Sequence, residues 1–152
     1  MIGIGSDHAG YRIKAEIVDH LEKQGYQVKD YGTCGTESVD YPDYGLSVAE
    51  AVAKGECERG IIICGTGIGI SISANKIPGI RAALCTDSYM AKMSRQHNDA
   101  NILALGERVI GPGLVQDIID TWLTTSFLGG RHNTRVDKIT GIESKYSIKM
   151  ED

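Results

Sequence analysis

The sequence predicts a doubly wound α/β sheet of Rossmann-like type, five mostly parallel strands with helices on both faces. Short apolar runs alternate with longer amphipathic segments, the pattern of strands connected by covering helices. Glycines and prolines punctuate those segments where helices stop and start. At 152 residues the chain is long enough for one domain that buries roughly two-thirds of its unfolded surface, so neither disulfides nor metals are needed for folding. One domain is expected over residues 1–152, with a short tail from about residue 145 that adds little to the core.

The first strand is expected at Met1–Gly5. "YRIKAEIVDHLEKQG" then sets Ile13, Ile17, Val18 and Leu21 on one helical stripe and stops at Gly25. A second strand is placed at Tyr26–Tyr31. Pro42 occupies a first helical position and opens "PDYGLSVAEAVAKG", which stops at Gly55. The third strand, Gly60–Cys64, leads into a helix from about Gly67 to Lys76. Strand four at Arg81–Thr86, a helix at Asp87–Gln96 and strand five at Asn101–Leu105 follow. Pro112 opens a helix ending near Thr124, and a last one, roughly Arg131–Tyr146, packs outside the sheet. Ligands of such sheets sit beyond the carboxyl ends of the strands, which selects "SDHAG" after strand one and "CGTGIGIS" after strand three.

Composition narrows the function. With 16 basic and 20 acidic residues and a formal net charge of −4, a nucleic-acid surface or a polybasic membrane anchor is not expected. The apolar runs are too short to span a bilayer. Cys34, Cys57, Cys64 and Cys85 form no C-x-x-C pair, and "MIGIGSDHAG" lacks the regions of a signal peptide, which predicts a reduced, cytoplasmic protein. No ligand spacing such as H-x-x-x-H occurs and the carboxylates do not cluster, so no metal and no cofactor are expected.

The glycine loop carries the chemistry. Gly65, Gly67 and Gly69 alternate, but Ile70 stands where a dinucleotide fingerprint needs its third glycine, and no Gly-Lys-Ser/Thr follows. There remains a glycine-lined turn feeding a helix, whose backbone N–H groups suit an oxyanion or phosphate. Cys64 at the edge of that turn lies in the field of the helix end, which favours the thiolate of a nucleophile or base. Asp7 and His8 end strand one, where an imidazole can donate to phosphate and a carboxylate can hold a hydroxyl. Arg131 and Arg135, at i and i+4, form a two-guanidinium clamp suited to phosphate oxygens. His20 reads as a surface residue, and His132 points away from the arginine pair and takes no role. A non-catalytic phosphate- or nucleotide-binding module would explain the glycines and arginines but leaves Cys64 idle.

As a set, "SDHAGYRIK", "DYP", "ICGTGIGISISANKIPGIRAAL", "SRQHNDANILALGERVIG" and "GGRHNTRV" resemble the ribose-5-phosphate isomerase type B family, which includes galactose-6-phosphate and allose-6-phosphate isomerases. The resemblance implies a metal-free aldose–ketose isomerase that interconverts ribose 5-phosphate and ribulose 5-phosphate through an enediolate, with hexose 6-phosphates as the rival substrates. By position, Cys64 resembles the family's thiol base, and Thr66 and His97 the pair that opens the furanose ring. The backbone of Gly65, Thr66, Gly67, Ile68, Gly69, Ile70 and Ser71 corresponds to its anion hole. Asp7, Tyr41 and Asn98 match hydroxyl contacts; His8, Arg108, Arg131 and Arg135 match phosphate contacts. One branch of the family has a glutamate base at the position of Ile70 and no cysteine at that of Cys64; this chain sits on the cysteine side. Its "RQHN" favours a self-sufficient homo-oligomer.

His97 precedes strand five, at the amino edge of the sheet, whereas Cys64 ends strand three at the other edge. A five-residue strand spans roughly 17 Å at about 3.3 Å per residue, too far for both to grip one pentose. The expectation is a homodimer with composite sites, in which His97 and Asn98 reach the pocket of the neighbouring subunit. Pairing of such dimers into a tetramer, and the subunit that supplies Arg108, are left open by the sequence.

Overall fold

A computed structural model describes residues 1–147; residues 148–152, the end of the expected tail, lie outside the described residues. The strands are β1 (Ile2–Ser6), β2 (Val28–Asp30), β3 (Arg59–Cys64), β4 (Ala82–Leu84) and β5 (Ile102–Gly106). They pair in parallel throughout, in the order β2-β1-β3-β5-β4. The helices are α1 (Tyr11–Lys23), α2 (Tyr41–Ala53), α3 (Ile68–Ala74), α4 (Ser88–Gln96), α5 (Pro112–Thr124) and α6 (Arg131–Tyr146).

Side chains alternate across a strand, and β3 divides the core accordingly. Ile61 and Ile63 face a layer built by α1, α4 and α5 around Ile17, Leu21, Ile118, Ile119 and Trp122. Ile62 and Cys64 face α2 and α3, packing with Val48, Ile70 and Ala74. Cys64 therefore points toward the layer that holds the helix following it. The chain leaves β1 toward β2 on one side and returns to β3 on the other, so the topological switch point lies between the carboxyl ends of β1 and β3. The backbone N–H of Asp7 bonds the carbonyl of Ile63 at 3.1 Å there, fastening the two loops together.

α1 and α2 end where the glycines place them, with Gly25 at φ +87° and Gly55 at φ +75°. Three elements are shorter than their patterns suggest. β2 and β4 hold three residues each because each is an edge strand with a single neighbour. α3 stops at Ala74 because the Asn75 side chain pairs with the backbone of Ala82, donating to its carbonyl at 2.9 Å and accepting its N–H at 2.8 Å. α6 lies outside the sheet as expected. His132 is its one buried residue, Ile139, Ile142 and Tyr146 are exposed, and the Glu143 carboxylate accepts the N–H of Gly79 at 3.0 Å.

Candidate active site

The loop after β3 is shaped by its own small residues. Gly67 adopts φ +77°, a left-handed turn that aims its N–H at the Cys64 sulfur, 3.1 Å away. The N–H of Ile68 bonds Thr66 Oγ1 at 3.3 Å. The N–H of Ser71 is committed to the Gly67 carbonyl at 3.2 Å, so the expected run of anion-binding donors ends before Ser71. Ile70 is fully buried against Gly45 and offers the site only its backbone. Cys64 is 4% exposed, a nearly enclosed thiol.

The neighbouring loops close around this turn. Asp7 Oδ1 accepts the N–H groups of Ala9 at 3.0 Å and Gly10 at 3.2 Å. The carboxylate thus builds its own loop with one oxygen, a structural duty absent from the sequence reading. His8 Nδ1 accepts the N–H of Val39 at 3.1 Å; in a neutral imidazole this puts the proton on Nε2, ready to donate outward. The Tyr41 ring covers Gly69 so closely that a Cβ there would stand 2.5 Å from it. From the end of β5, the N–H groups of Glu107 and Arg108 bond the carbonyls of Cys64 and Gly65, each at 3.0 Å, and the Arg108 guanidinium lies against Gly65. Arg108 therefore belongs to the cysteine side.

The remaining candidates gather at the amino edge. His97 caps the C-terminus of α4, with Asn98 exposed beside it. Asp99, at φ +46°, continues the turn, held by Arg95 at 2.9 Å and Arg81 at 3.3 Å. Arg131 and Arg135 open α6 nearby. One chain thus assembles Asp7, His8, Tyr41, the Cys64 loop and Arg108 at one edge, and His97, Asn98, Arg131 and Arg135 at the other. The expected hydroxyl and phosphate contacts are both divided between these edges.

Two histidines depart from their sequence reading. His132 is buried, and its ring stacks on that of His97 with centroids 4.2 Å apart and planes 11° from parallel. Burial, then the electrostatic influence of the neighbouring His97, Arg131 and Arg135, push its pKa below the ordinary imidazole value. His20 is partly buried and bridges α1 to α5 through Asp120 at 2.8 Å. Neither contact leaves a signal in residue spacing, because both depend on how separate helices dock. Cys34 is exposed while Cys57 and Cys85 are buried, and burial pushes the Cys85 thiol up to about 11.

Among the described residues no group of three or more His, Cys, Asp or Glu side chains could hold a metal ion, and no helix is long and apolar enough to cross a membrane. A groove of about 950 Å³ runs along β4 and α6, lined in part by Arg81, Ala83, Asn98, Ile139, Ile142 and Tyr146. It lies at the amino edge, away from Cys64.

A family model described as Ribose/Galactose Isomerase matches residues 2–139. The chain belongs to the ribose/galactose isomerase family. Among its relatives in this isomerase family, ribose-5-phosphate isomerase B of Escherichia coli is 54% identical, over 95% of this chain and 97% of that protein. D-erythrulose-4-phosphate isomerase of Pectobacterium atrosepticum is 47% identical, over 91% of each chain. The solved structure of Clostridium thermocellum ribose-5-phosphate isomerase B is 72% identical and superposes with a TM-score of 0.95, covering 96% of this chain and 99% of that one. The all-parallel sheet with its flanking helices is the architecture of this isomerase family.

Proposed function

We propose that this protein interconverts ribose 5-phosphate and ribulose 5-phosphate without a metal or cofactor, in the cytoplasm, as a one-domain homodimer whose sites are shared between copies. The observation that carries the chemical reading is the Gly67 N–H donated to Cys64 Sγ at 3.1 Å, inside a glycine turn at the switch point. A sulfur in that place accepts a hydrogen bond that strengthens as negative charge builds on it.

The reaction begins with the furanose. Its C1–O4 bond breaks, the ring oxygen takes up a proton, and the anomeric hydroxyl gives one up, with His97 and Thr66 as the exchanging pair. Cys64 then removes the hydrogen on C2 and returns it to C1, while a hydroxyl proton passes from O2 to O1. Charge gathers on the oxygens in between, where the backbone N–H groups of the Gly65–Ile70 turn that are not already engaged, as Gly67 is with Cys64 and Ile68 with Thr66, stabilise it by about 3 kcal/mol each. Asp7, Tyr41 and Asn98 hold hydroxyls. His8, Arg108, Arg131 and Arg135 hold the phosphate, converting its binding energy into orientation at the distant carbon.

The division of these residues between two sheet edges supports the shared site. Ile68 and Ile72, 52% and 56% exposed on the helix after the cysteine loop, match in apolar character the groove beside Asn98. In the shared-site reading a two-fold axis pairs these two surfaces, and by its symmetry whatever one copy lends to the Cys64 of the other it receives in return. Four free cysteines, three of them buried, support a reducing compartment.

The tetrose-phosphate relative shows that close family members differ in sugar length, so hexose and tetrose phosphates are the competing substrates. Measuring kcat/KM on ribose, allose, galactose and erythrulose phosphates decides the sugar, and a marked preference for any but ribose overturns that choice. C64A is expected to abolish hydrogen transfer while sugar phosphate still binds; full activity in C64A removes the thiol as base.

A further inference from the structure

His97 has no anchor of its own kind. Among the described residues neither its ring nitrogens nor those of His132 have a hydrogen-bond partner, and His97 is only half-buried at a helix end, with its N–H on the Met93 carbonyl at 2.9 Å. An imidazole so placed would sample several rotamers. What restrains it is the buried face of His132, parallel to within 11°. The backbone sets up this contact: the N–H of Leu128 bonds the Gln96 carbonyl at 3.1 Å, and the N–H of His132 bonds the Gly129 carbonyl at 3.0 Å. The start of α6 is thereby docked on the end of α4. Arg131 and Arg135 flank His132 on the same helix, so the stack also ties their backbone to His97.

We propose that His132 is a positioning residue: its flat face fixes the ring plane of His97 and the place of that ring relative to Arg131 and Arg135. This rests on the ring-opening reading of His97 given above. A stacking partner suits that duty because it holds the ring by its face and leaves both nitrogen edges to the sugar, whereas a hydrogen-bonding partner would occupy one of them. Burial, then the neighbouring His97, Arg131 and Arg135, lower the pKa of His132, which disfavours a second positive charge against the face of His97.

The test separates ring opening from hydrogen transfer. Ribulose 5-phosphate carries its phosphate on the oxygen that a furanose would need, so it is always open-chain. Exchange of its C1 hydrogen with deuterated water therefore reports Cys64 chemistry alone. H132A, H132L and H132F are compared with H97A in both assays. Since misplacement by about 1 Å costs up to about a hundredfold, H132A and H132L are expected to lose between about tenfold and a hundredfold in turnover of furanose ribose 5-phosphate and to keep C1 exchange within about twofold. H132F, flat but without ring nitrogens, is expected to recover most of the turnover. H132L fills the space without a flat face, so equal activity in H132L and H132F overturns the proposal, as does equal loss in both assays or a poor H132F. Unimpaired furanose turnover in H97A overturns the ring-opening reading itself. Impaired H97A beside normal H132A and H132L overturns the His132 role alone.

Discussion

A Cβ at Gly67 would lie 2.5 Å from Leu84 Cδ1 and 2.8 Å from the Leu105 carbonyl carbon, on a backbone at φ +77°. Both the turn and the close approach demand glycine, and the same turn carries the N–H to Cys64. G67A is expected to lower stability by about 2 kcal/mol or more, visible as a reduced urea midpoint, and to depress kcat more than substrate affinity. A midpoint within error of wild type would mean that the turn tolerates a side chain. The need for such residues was legible beforehand, because alternating glycines after an apolar run leave few conformations open. The double duty of Asp7 was not, since its contacts to Ala9 and Gly10 arise only once the loop has closed. His132 was hidden for a different reason. Its neighbour is 35 positions earlier in the chain, on another helix, and nothing local in "GRHNTR" reports the docking of α6 on α4.

Helices were easier to place than strand ends. An amphipathic stripe ending at Gly25 located α1, Pro42 and Gly55 located α2, and Pro112 located the start of α5, while the ends of β2, β4 and α3 are decided by neighbours: one partner instead of two at an edge, and the Asn75 side chain on Ala82. The contact between α4 and α6 carries a pH dependence. His132 has a lower pKa in the fold than the ordinary value of about 6.5, so the unfolded chain binds a proton that the folded one refuses. Stability is therefore complete above about pH 6.5 and is lost progressively as pH falls below it toward the folded value. Thermal melts between pH 7.5 and pH 5 are expected to show a steeper fall for the native protein than for H132F, which cannot titrate there. Parallel curves would place the proton uptake elsewhere.

For the whole molecule, the proposed function has two edges of one sheet each hold half of a site. C64A and H97A disable different halves, so a shared site makes a distinctive demand. When the two inactive variants are unfolded, mixed in equal amounts and refolded, half of the dimers are mixed and each mixed dimer rebuilds one intact site. Activity is expected to return to about a quarter of the native value; no recovery would place the whole site within one chain. The sequence suggested this division through the position of His97 before strand five, whereas the company of Arg131 and Arg135 on that edge came into view only with the packing of α6. The arrangement also bears on how copies meet. Both outermost strands, β2 and β4, are three residues long, leaving little unpaired ladder for a stray strand to extend. Crowded copies are thus turned away from fibril-like stacking and toward contacts made by side chains, the kind that can be closed in pairs and then stop.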